Sequence, residues 1–177
     1  EGGIDSAELD EILTIAESDA PLTGGGIPIQ NRDFLPVYCE QLKDRVRQGL
    51  DTDIQKPLLG LHVVVDAGNG AGGFYVDKVL QPLGANTEGS RYLDPDGSFP
   101  NHIPNPEDKD AMKSIIAAVT ENGCDLGLIF DTDVDRAGCV DSSGKEINRN
   151  RLIALASVIA LENNPGGTIV TDSITST

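Results

Sequence analysis

Three aspartates, Asp131, Asp133 and Asp135, stand at alternate positions in the stretch LGLIFDTDVDRAG, directly after an apolar run and before an arginine. Carboxylates this close cannot all stay ionised without a compensating positive charge. If the segment is extended, the alternation turns all three side chains to one side. Because Mg²⁺ prefers oxygen ligands and keeps part of its water or phosphate shell, the pattern predicts a magnesium site.

The place of this cluster in the chain agrees with a ligand site. Ligands of α/β sheets bind beyond the carboxyl ends of strands, and the aspartates follow a predicted strand. The arginine that comes next, Arg136, carries a planar fork of donors that suits a phosphate group. The alternative that needs no ligand is a surface acid cluster paired with Arg136 and nearby lysines.

A second stretch, DAGNGAGG (66–73), places Gly68, Gly70 and Gly73 in a G-x-G-x-x-G pattern between a predicted strand and a predicted helix. Glu88 lies about 20 residues further on, as the dinucleotide-binding fingerprint requires. Asp66, however, places a negative charge where a pyrophosphate would approach. The alternative interpretation is a tight structural turn.

The elements that must position these residues alternate along the chain. Helices are predicted at 6–17, about 32–49, about 72–82, 107–122 and 149–163, and strands at 61–68, 86–93, 125–130 and 167–173, with a hairpin over 137–147. The alternation predicts an α/β fold: a three-layer α/β/α domain with a mixed sheet, preceded by a helical piece of another domain. The last predicted helix is apolar nearly all round, so we expect it to be covered on more than one side.

The composition narrows the class of partner. The formal charge of −16 disfavours nucleic acid and anionic membranes, because phosphate groups bind Lys and Arg. No run approaches the ~18 apolar residues of a membrane span. The three cysteines form no CxxC pair and no zinc spacing, so we expect reduced thiols and a cytoplasmic location, with a plastid as the alternative. Since the first residue is Glu1, we expect a processed chain or a piece of a longer protein.

Two known aspartate loops fit the stretch poorly. An EF-hand requires Gly at loop position six and Glu at position twelve, where this chain has Arg136 and Ser142. A phosphatase of the haloacid-dehalogenase type also places such aspartates after a buried strand. Here the fifth residue is Asp135 and no catalytic lysine loop is evident downstream, so this phosphatase is kept only as an alternative.

A third aspartate loop fits better, because LGLIFDTDVDRAGCVDSSGKEI closely resembles the DGDGDR metal loop of the α-D-phosphohexomutases, the phosphoglucomutase and phosphomannomutase superfamily. Further resemblances are, in family order, VVVDAGNGAGG to the strand and glycine turn that open the second domain, DGSFPNHIPNPED to the Phe-Pro-Asn-His loop, and TIVTDSITST to the closing segment. Upstream, EGGIDSAELDEIL resembles the end of the first domain. The resemblance covers about residues 58–177 and makes the glycine pattern a structural turn.

The resemblance implies that residues 58–177 are the metal-binding domain II and that residues 1–57 are the end of domain I with a linker helix. It implies an isomerase that moves a phosphoryl group between the 1- and 6-positions of a hexose phosphate through a phosphoserine and Mg²⁺. The three aspartates would be the metal ligands, and Arg136 would lie near the transferring phosphoryl.

Much of the family's machinery is absent from this sequence. We find no Thr-Ala-Ser-His serine loop, no Gly-Glu-x-Ser-Gly-His sugar loop and no fourth domain. The resemblance therefore implies that domains I, III and IV are the partners and that this chain alone has no mutase activity. The competing hypothesis is a degenerate, non-catalytic module kept for interaction or folding.

More specific predictions concern four residues: Thr132, Val134, His62 and His102. The family's two loop glycines are Thr132 and Val134 here, and a β-branched residue strongly disfavours the positive φ that glycine tolerates. Either the loop needs no positive φ, or it bends differently and holds metal less well. We expect His62 to be a packing residue and His102, in the PNHIP loop, to orient a domain interface or the metal loop.

Overall fold

The structure is a computed structural model that describes residues 4–18, 26, 28–50 and 54–171. The chain divides into two compact units, Glu1–Asp33 and Phe34–Thr177. The first unit contains helix α1 (Ser6–Glu17), which begins and ends at the predicted residues. A capping box between Asp5 and Glu8 satisfies the free N–H groups of its first turn.

The second unit contains a mixed sheet and its helices. Its elements are α2 (Leu35–Gly49), β1 (Val63–Asp66), a 3₁₀ turn (Ala71–Gly73), a π-helical segment (Val76–Leu80), α3 (Lys109–Asn122), β2 (Leu126–Phe130), β3 (Ala137–Asp141), β4 (Glu146–Ile147) and α4 (Arg149–Asn163). The strand order is β1-β2-β3-β4. β1 and β2 are parallel, whereas β2, β3 and β4 form an antiparallel meander. The predicted mixed sheet and hairpin are confirmed.

Helical layers cover both faces of this sheet. On one face α3 packs against Val64 and Ile129. On the other face Val65 and Phe130 contact the π-helical segment, and α2 packs against that segment through Cys39. Successive residues of a strand point to opposite faces, so the three valines of β1, Val63, Val64 and Val65, are all buried when both faces are covered. The predicted three-layer α/β/α fold is confirmed.

Two predicted elements between β1 and α3 are irregular. The helix predicted over 72–82 is a 3₁₀ turn followed by the π-helical segment, because two adjacent glycines are poor helix formers. The strand predicted over 86–93 makes only two isolated bridges, at Asn86 and Arg91. A turn around Gly89, at φ +89°, interrupts the ladder between these bridges.

The C-terminal elements differ most from expectation. α4 has its predicted bounds, but Leu155, Val158 and Ile159 are 57%, 54% and 52% exposed. The prediction that this helix is covered on more than one side is therefore wrong for the described chain. Residues 167–171 form no strand, and the remaining residues of the predicted last strand, 172–173, lie outside the described residues. Among the described residues, nothing covers the exposed side of α4 or pairs with residues 167–171 as a strand.

Replacement of Gly73 by alanine tests the packing of the turn at residues 67–73, here called the glycine turn. A Cβ at this position would lie 1.9 Å from the carbonyl oxygen of Leu93, so backbone would have to move. We expect Gly73→Ala to lower the free energy of unfolding by about 3 kcal/mol, measured by urea denaturation. The matched control is Gly97→Ala, where a Cβ meets nothing within 4 Å and we expect a change within about 0.5 kcal/mol. Equal stability of the two variants would contradict this packing.

Candidate metal centre

Residues 131–136, here called the metal loop, join β2 to β3. Phe130 pairs with Ala137 across the hairpin, and the Asp131 N–H donates to the Arg136 carbonyl oxygen at 3.2 Å. The loop therefore closes a tight turn instead of continuing β2. The segment is therefore not extended, and it is the turn that brings the three aspartates together.

One oxygen from each of Asp131, Asp133 and Asp135 lies within 4.8 Å of the others. Asp131 is 1% exposed, whereas the other two carboxylates face solvent. An all-oxygen donor set with an open outer side fits a hard divalent cation that keeps water or phosphate oxygens among its ligands. The residues present therefore fit the Mg²⁺ that the sequence pattern predicts.

Arg136 is the positive charge inside this cluster. Its backbone N–H donates to Oδ1 of Asp131 at 3.0 Å, and its Nε donates to Oδ2 of the same carboxylate at 3.0 Å. The Nε also lies 3.5 Å from Oδ1 of Asp135. The Arg136 side chain is 52% exposed, so much of its surface faces solvent, where a phosphate group can reach it.

The titration of the cluster reflects these contacts. Burial would raise the pKa of Asp131, but hydrogen bonds from the Arg136 backbone, Asp135 and the Arg136 guanidinium outweigh it and hold the pKa below its usual range. The pKa of Asp135 is raised by its hydrogen bond with Asp131 and by the negative charges of Asp133 and Asp131. Arg136 therefore compensates the repulsion only in part, and a divalent cation would compensate the rest.

Thr132 and Val134 stand where the resembled DGDGDR loop has glycines, and their backbone conformations differ. Val134 has φ +68°, a left-handed conformation that a β-branched residue rarely adopts. Its side chain packs against the cluster that contains Phe130. Thr132 has no positive φ, and its carbonyl oxygen accepts a hydrogen bond from the Ala71 N–H at 2.9 Å. The metal loop thus includes the conformation for which glycine is suited, at a cost of roughly 1–2 kcal/mol of strain.

The glycine turn, residues 67–73, packs directly on the metal loop. A Cβ at Gly70 would lie 2.7 Å from the carbonyl oxygen of Thr132, and one at Gly73 would meet Leu93. These glycines allow close approach of the chain's own backbone, which supports the structural turn over the dinucleotide fingerprint. Glu88, the acidic residue of that fingerprint, has its backbone carbonyl oxygen 2.8 Å from Nε2 of His62. The His62 ring therefore has a local hydrogen-bond partner, in agreement with a packing role.

Sequence reasoning missed a buried polar network beside the metal loop. Asp66 is fully buried, and its Oδ1 lies 2.9 Å from Nε2 of His102. The same carboxylate accepts hydrogen bonds from the Gly68 N–H at 2.9 Å and the Ser114 hydroxyl at 2.6 Å. An acidic residue at the end of an otherwise apolar strand was the available signal, but nothing in the sequence pattern pairs it with a histidine 36 positions away.

The family comparison agrees with this fold and site. The family model described as "Phosphoglucomutase/phosphomannomutase, alpha/beta/alpha domain II" matches residues 36–144, more than half of the chain. The chain therefore belongs to the phosphoglucomutase/phosphomannomutase family. The match includes all but the first residue of α2, includes the metal loop, and ends before α4. The predicted boundary between residues 57 and 58 stays a prediction.

Individual relatives lead to the same family. The chain is 36% identical over 151 residues to a phosphomannomutase/phosphoglucomutase of Pseudomonas aeruginosa, covering 85% of this chain and 30% of that protein. It is 31% identical over 165 residues to a phosphoglucomutase of Neisseria meningitidis, covering 93% and 34%. The crystal structure of a phosphoglucomutase/phosphomannomutase family protein of Burkholderia thailandensis superposes with a TM-score of 0.70 at 29% identity, covering 90% and 32%.

The chain thus spans about a third of the length of the relatives it matches. What the whole protein acts on is therefore a matter for proposal. Among the described residues, no helix is both long enough and apolar enough to cross a membrane.

Two substitutions at Val134 test the backbone strain in the metal loop. Val134→Ala and Val134→Gly lose nearly the same packing, but only glycine relieves the positive φ. We expect the glycine variant to be more stable than the alanine variant by about 1 kcal/mol, measured by urea denaturation. At an ordinary backbone conformation the order is reversed, because glycine has more conformational entropy to lose. An alanine variant that is the more stable of the two would therefore exclude the left-handed conformation.

Proposed function

We propose that this chain is the metal-loop portion of a phosphohexomutase, an isomerase that moves a phosphoryl group between the 1- and 6-positions of a hexose phosphate. The observation that carries the proposal is the convergence of three carboxylates within 4.8 Å, with Arg136 bonded to the buried one. The names of the relatives, phosphomannomutase/phosphoglucomutase and phosphoglucomutase, support this reaction class.

Each residue of the site has a proposed role. Asp131, Asp133 and Asp135 would hold Mg²⁺, which when bound would neutralise charge on a phosphorylated serine supplied by another domain. Asp131 is the anchor of this set because burial and two hydrogen bonds from Arg136 fix its orientation. The guanidinium of Arg136 would bind oxygens of the transferring phosphoryl group, since planar donors match phosphate geometry.

The proposed division of labour places the remaining functions outside this chain. Residues 58–177 would serve as domain II, and residues 1–57 as the end of domain I with its linker helix. Neither the serine loop nor the sugar loop of the family occurs in the sequence. We therefore propose that domains I, III and IV are the partners, that they supply the phosphoserine and the sugar contacts, and that this chain alone is inactive.

One observation favours a second candidate, a degenerate module without catalysis. Val134 strains the metal loop at φ +68° where the family carries glycine, and strain can lower the population of the metal-binding conformation. An intact serine loop in the full-length protein would favour the enzyme, and its absence would favour the module.

A Mn²⁺ titration followed by paramagnetic NMR line broadening tests the metal site directly. We expect broadening centred on residues 131–136, because three carboxylates converge there, and its loss in Asp133→Asn. The control is Asp94→Asn, which removes an exposed carboxylate outside the cluster and should leave the broadening unchanged. Because the pKa of Asp135 is raised by its hydrogen bond with Asp131 and by nearby negative charge, we also expect the broadening to weaken on acidification at a higher pH than an ordinary aspartate would require, since ligands must be deprotonated. Uniform broadening in all three proteins would contradict the site.

An activity assay separates the mutase fragment from the phosphatase alternative. We expect the isolated chain to show no turnover of glucose 1-phosphate above the blank when a bisphosphate primer and Mg²⁺ are present, because no phosphoserine loop is present. Turnover would contradict the proposed inactivity. Release of inorganic phosphate without isomerisation would instead support a phosphatase.

A further inference from the structure

A buried histidine–aspartate pair lies beside the candidate metal site. The side chains of His102 and Asp66 are 4% and 0% exposed, and Nε2 of the histidine lies 2.9 Å from Oδ1 of the aspartate. Asp66 also accepts hydrogen bonds from the Gly68 N–H and the Ser114 hydroxyl. A carboxylate that is buried persists only when its oxygens are hydrogen-bonded, and removal of one partner is costly. This network therefore holds the imidazole ring in one place.

The other ring nitrogen connects this network to Asn105. Nδ1 of His102 lies 3.0 Å from the Ile103 carbonyl oxygen, which also accepts the Asn105 N–H at 2.8 Å. The Asn105 carbonyl oxygen accepts the Asp108 N–H at 2.9 Å, and its Oδ1 accepts the Glu107 N–H at 3.0 Å. Asn105 is consequently fixed through both backbone and side chain at the start of α3.

Asn105 in turn contacts the guanidinium of the metal loop. Its Oδ1 accepts a hydrogen bond from Nη1 of Arg136 at 3.4 Å, while Nε of Arg136 donates to Asp131 at 3.0 Å. Contacts on two different nitrogens fix the plane of the guanidinium. With the Nε contact alone, rotation about the Nε–Cζ bond meets only the intrinsic barrier of the delocalised group. The amide oxygen does this without adding a fourth negative charge to the aspartate cluster.

We propose that Asn105 is a positioning residue for Arg136, and that the buried His102–Asp66 pair holds Asn105 at the position where its side chain contacts Arg136. Two segments distant in sequence, the PNHIP loop and the end of β1, thereby set the direction in which the guanidinium faces. The importance of this direction for phosphoryl binding rests on the proposed function. The orientation itself does not, because the hydrogen bonds that determine it join residues of this chain alone.

The test measures the rotation of the Arg136 guanidinium about its Nε–Cζ bond by ¹⁵N NMR in the metal-free chain, with Arg136→Lys to assign the signal. We expect Asn105→Ala to accelerate the rotation about threefold, since one long hydrogen bond is lost. Asn105→Asp, which keeps the acceptor oxygen, should restore the slow rate. The matched control is Asn101→Ala in the same loop, whose side chain donates to Asn69 at 2.7 Å and does not contact Arg136; its rate should equal that of the unmodified chain.

A second variant tests whether the buried His102–Asp66 pair holds Asn105 in place. His102→Gln should also accelerate the rotation if the buried pair holds Asn105, and an intact amide spectrum verifies that the variant is folded. If His102→Gln does not fold, the Asn105 variants decide alone. An unchanged rate in Asn105→Ala or in folded His102→Gln, or equal acceleration in Asn101→Ala, would overturn the proposal. Failure of Mn²⁺ to bind would affect only the proposed function, because the rotation is measured without metal.

Discussion

Like-charge repulsion at the end of β2 is the constraint around which the neighbouring structure is arranged. Three carboxylates converge within 4.8 Å, and one of them is buried. Two hydrogen bonds from Arg136 keep the buried carboxylate ionised and lower its pKa, while the pKa of the exposed Asp135 is raised. The chain thus holds a site whose charge is balanced only in part, and a divalent cation is the chemical group that would complete the balance.

The surroundings of the metal loop are constrained by buried hydrogen bonds and close backbone contacts. Polar groups buried next to β1 and β2 must be hydrogen-bonded, and Asp66 meets this requirement through three donors from three segments. The glycine turn approaches the metal loop so closely that Gly70 has no room for a Cβ beside Thr132. Precise placement of charge is therefore obtained from backbone contact and buried hydrogen bonds rather than from the exposed loop itself.

Local strain is concentrated in the same place. Val134 occupies a left-handed conformation in the metal loop, and its side chain packs against the core cluster on that face of the sheet. The packing of an apolar side chain offsets part of the cost of the unfavourable φ. This balance explains how a β-branched residue can stand where glycine would be suited, and it ties the conformation of the loop to the core beneath it.

The sequence by itself determined the features that depend on local periodicity and residue type. The bounds of α1 and α4, the buried strands β1 and β2, and the acidic cluster with its arginine follow from patterns within a few residues. The family resemblance likewise rests on short stretches that follow one another along the chain in the order found in the family. Only the tertiary structure decided the turn that gathers the aspartates, the pairing of Asp66 with His102, the irregular segment 86–93 and the exposure of α4. The first is set by the pairing of β2 with β3, the second and third by contacts between segments far apart in the chain, and the last by the neighbours of α4 among the described residues. Local sequence patterns do not encode these relationships.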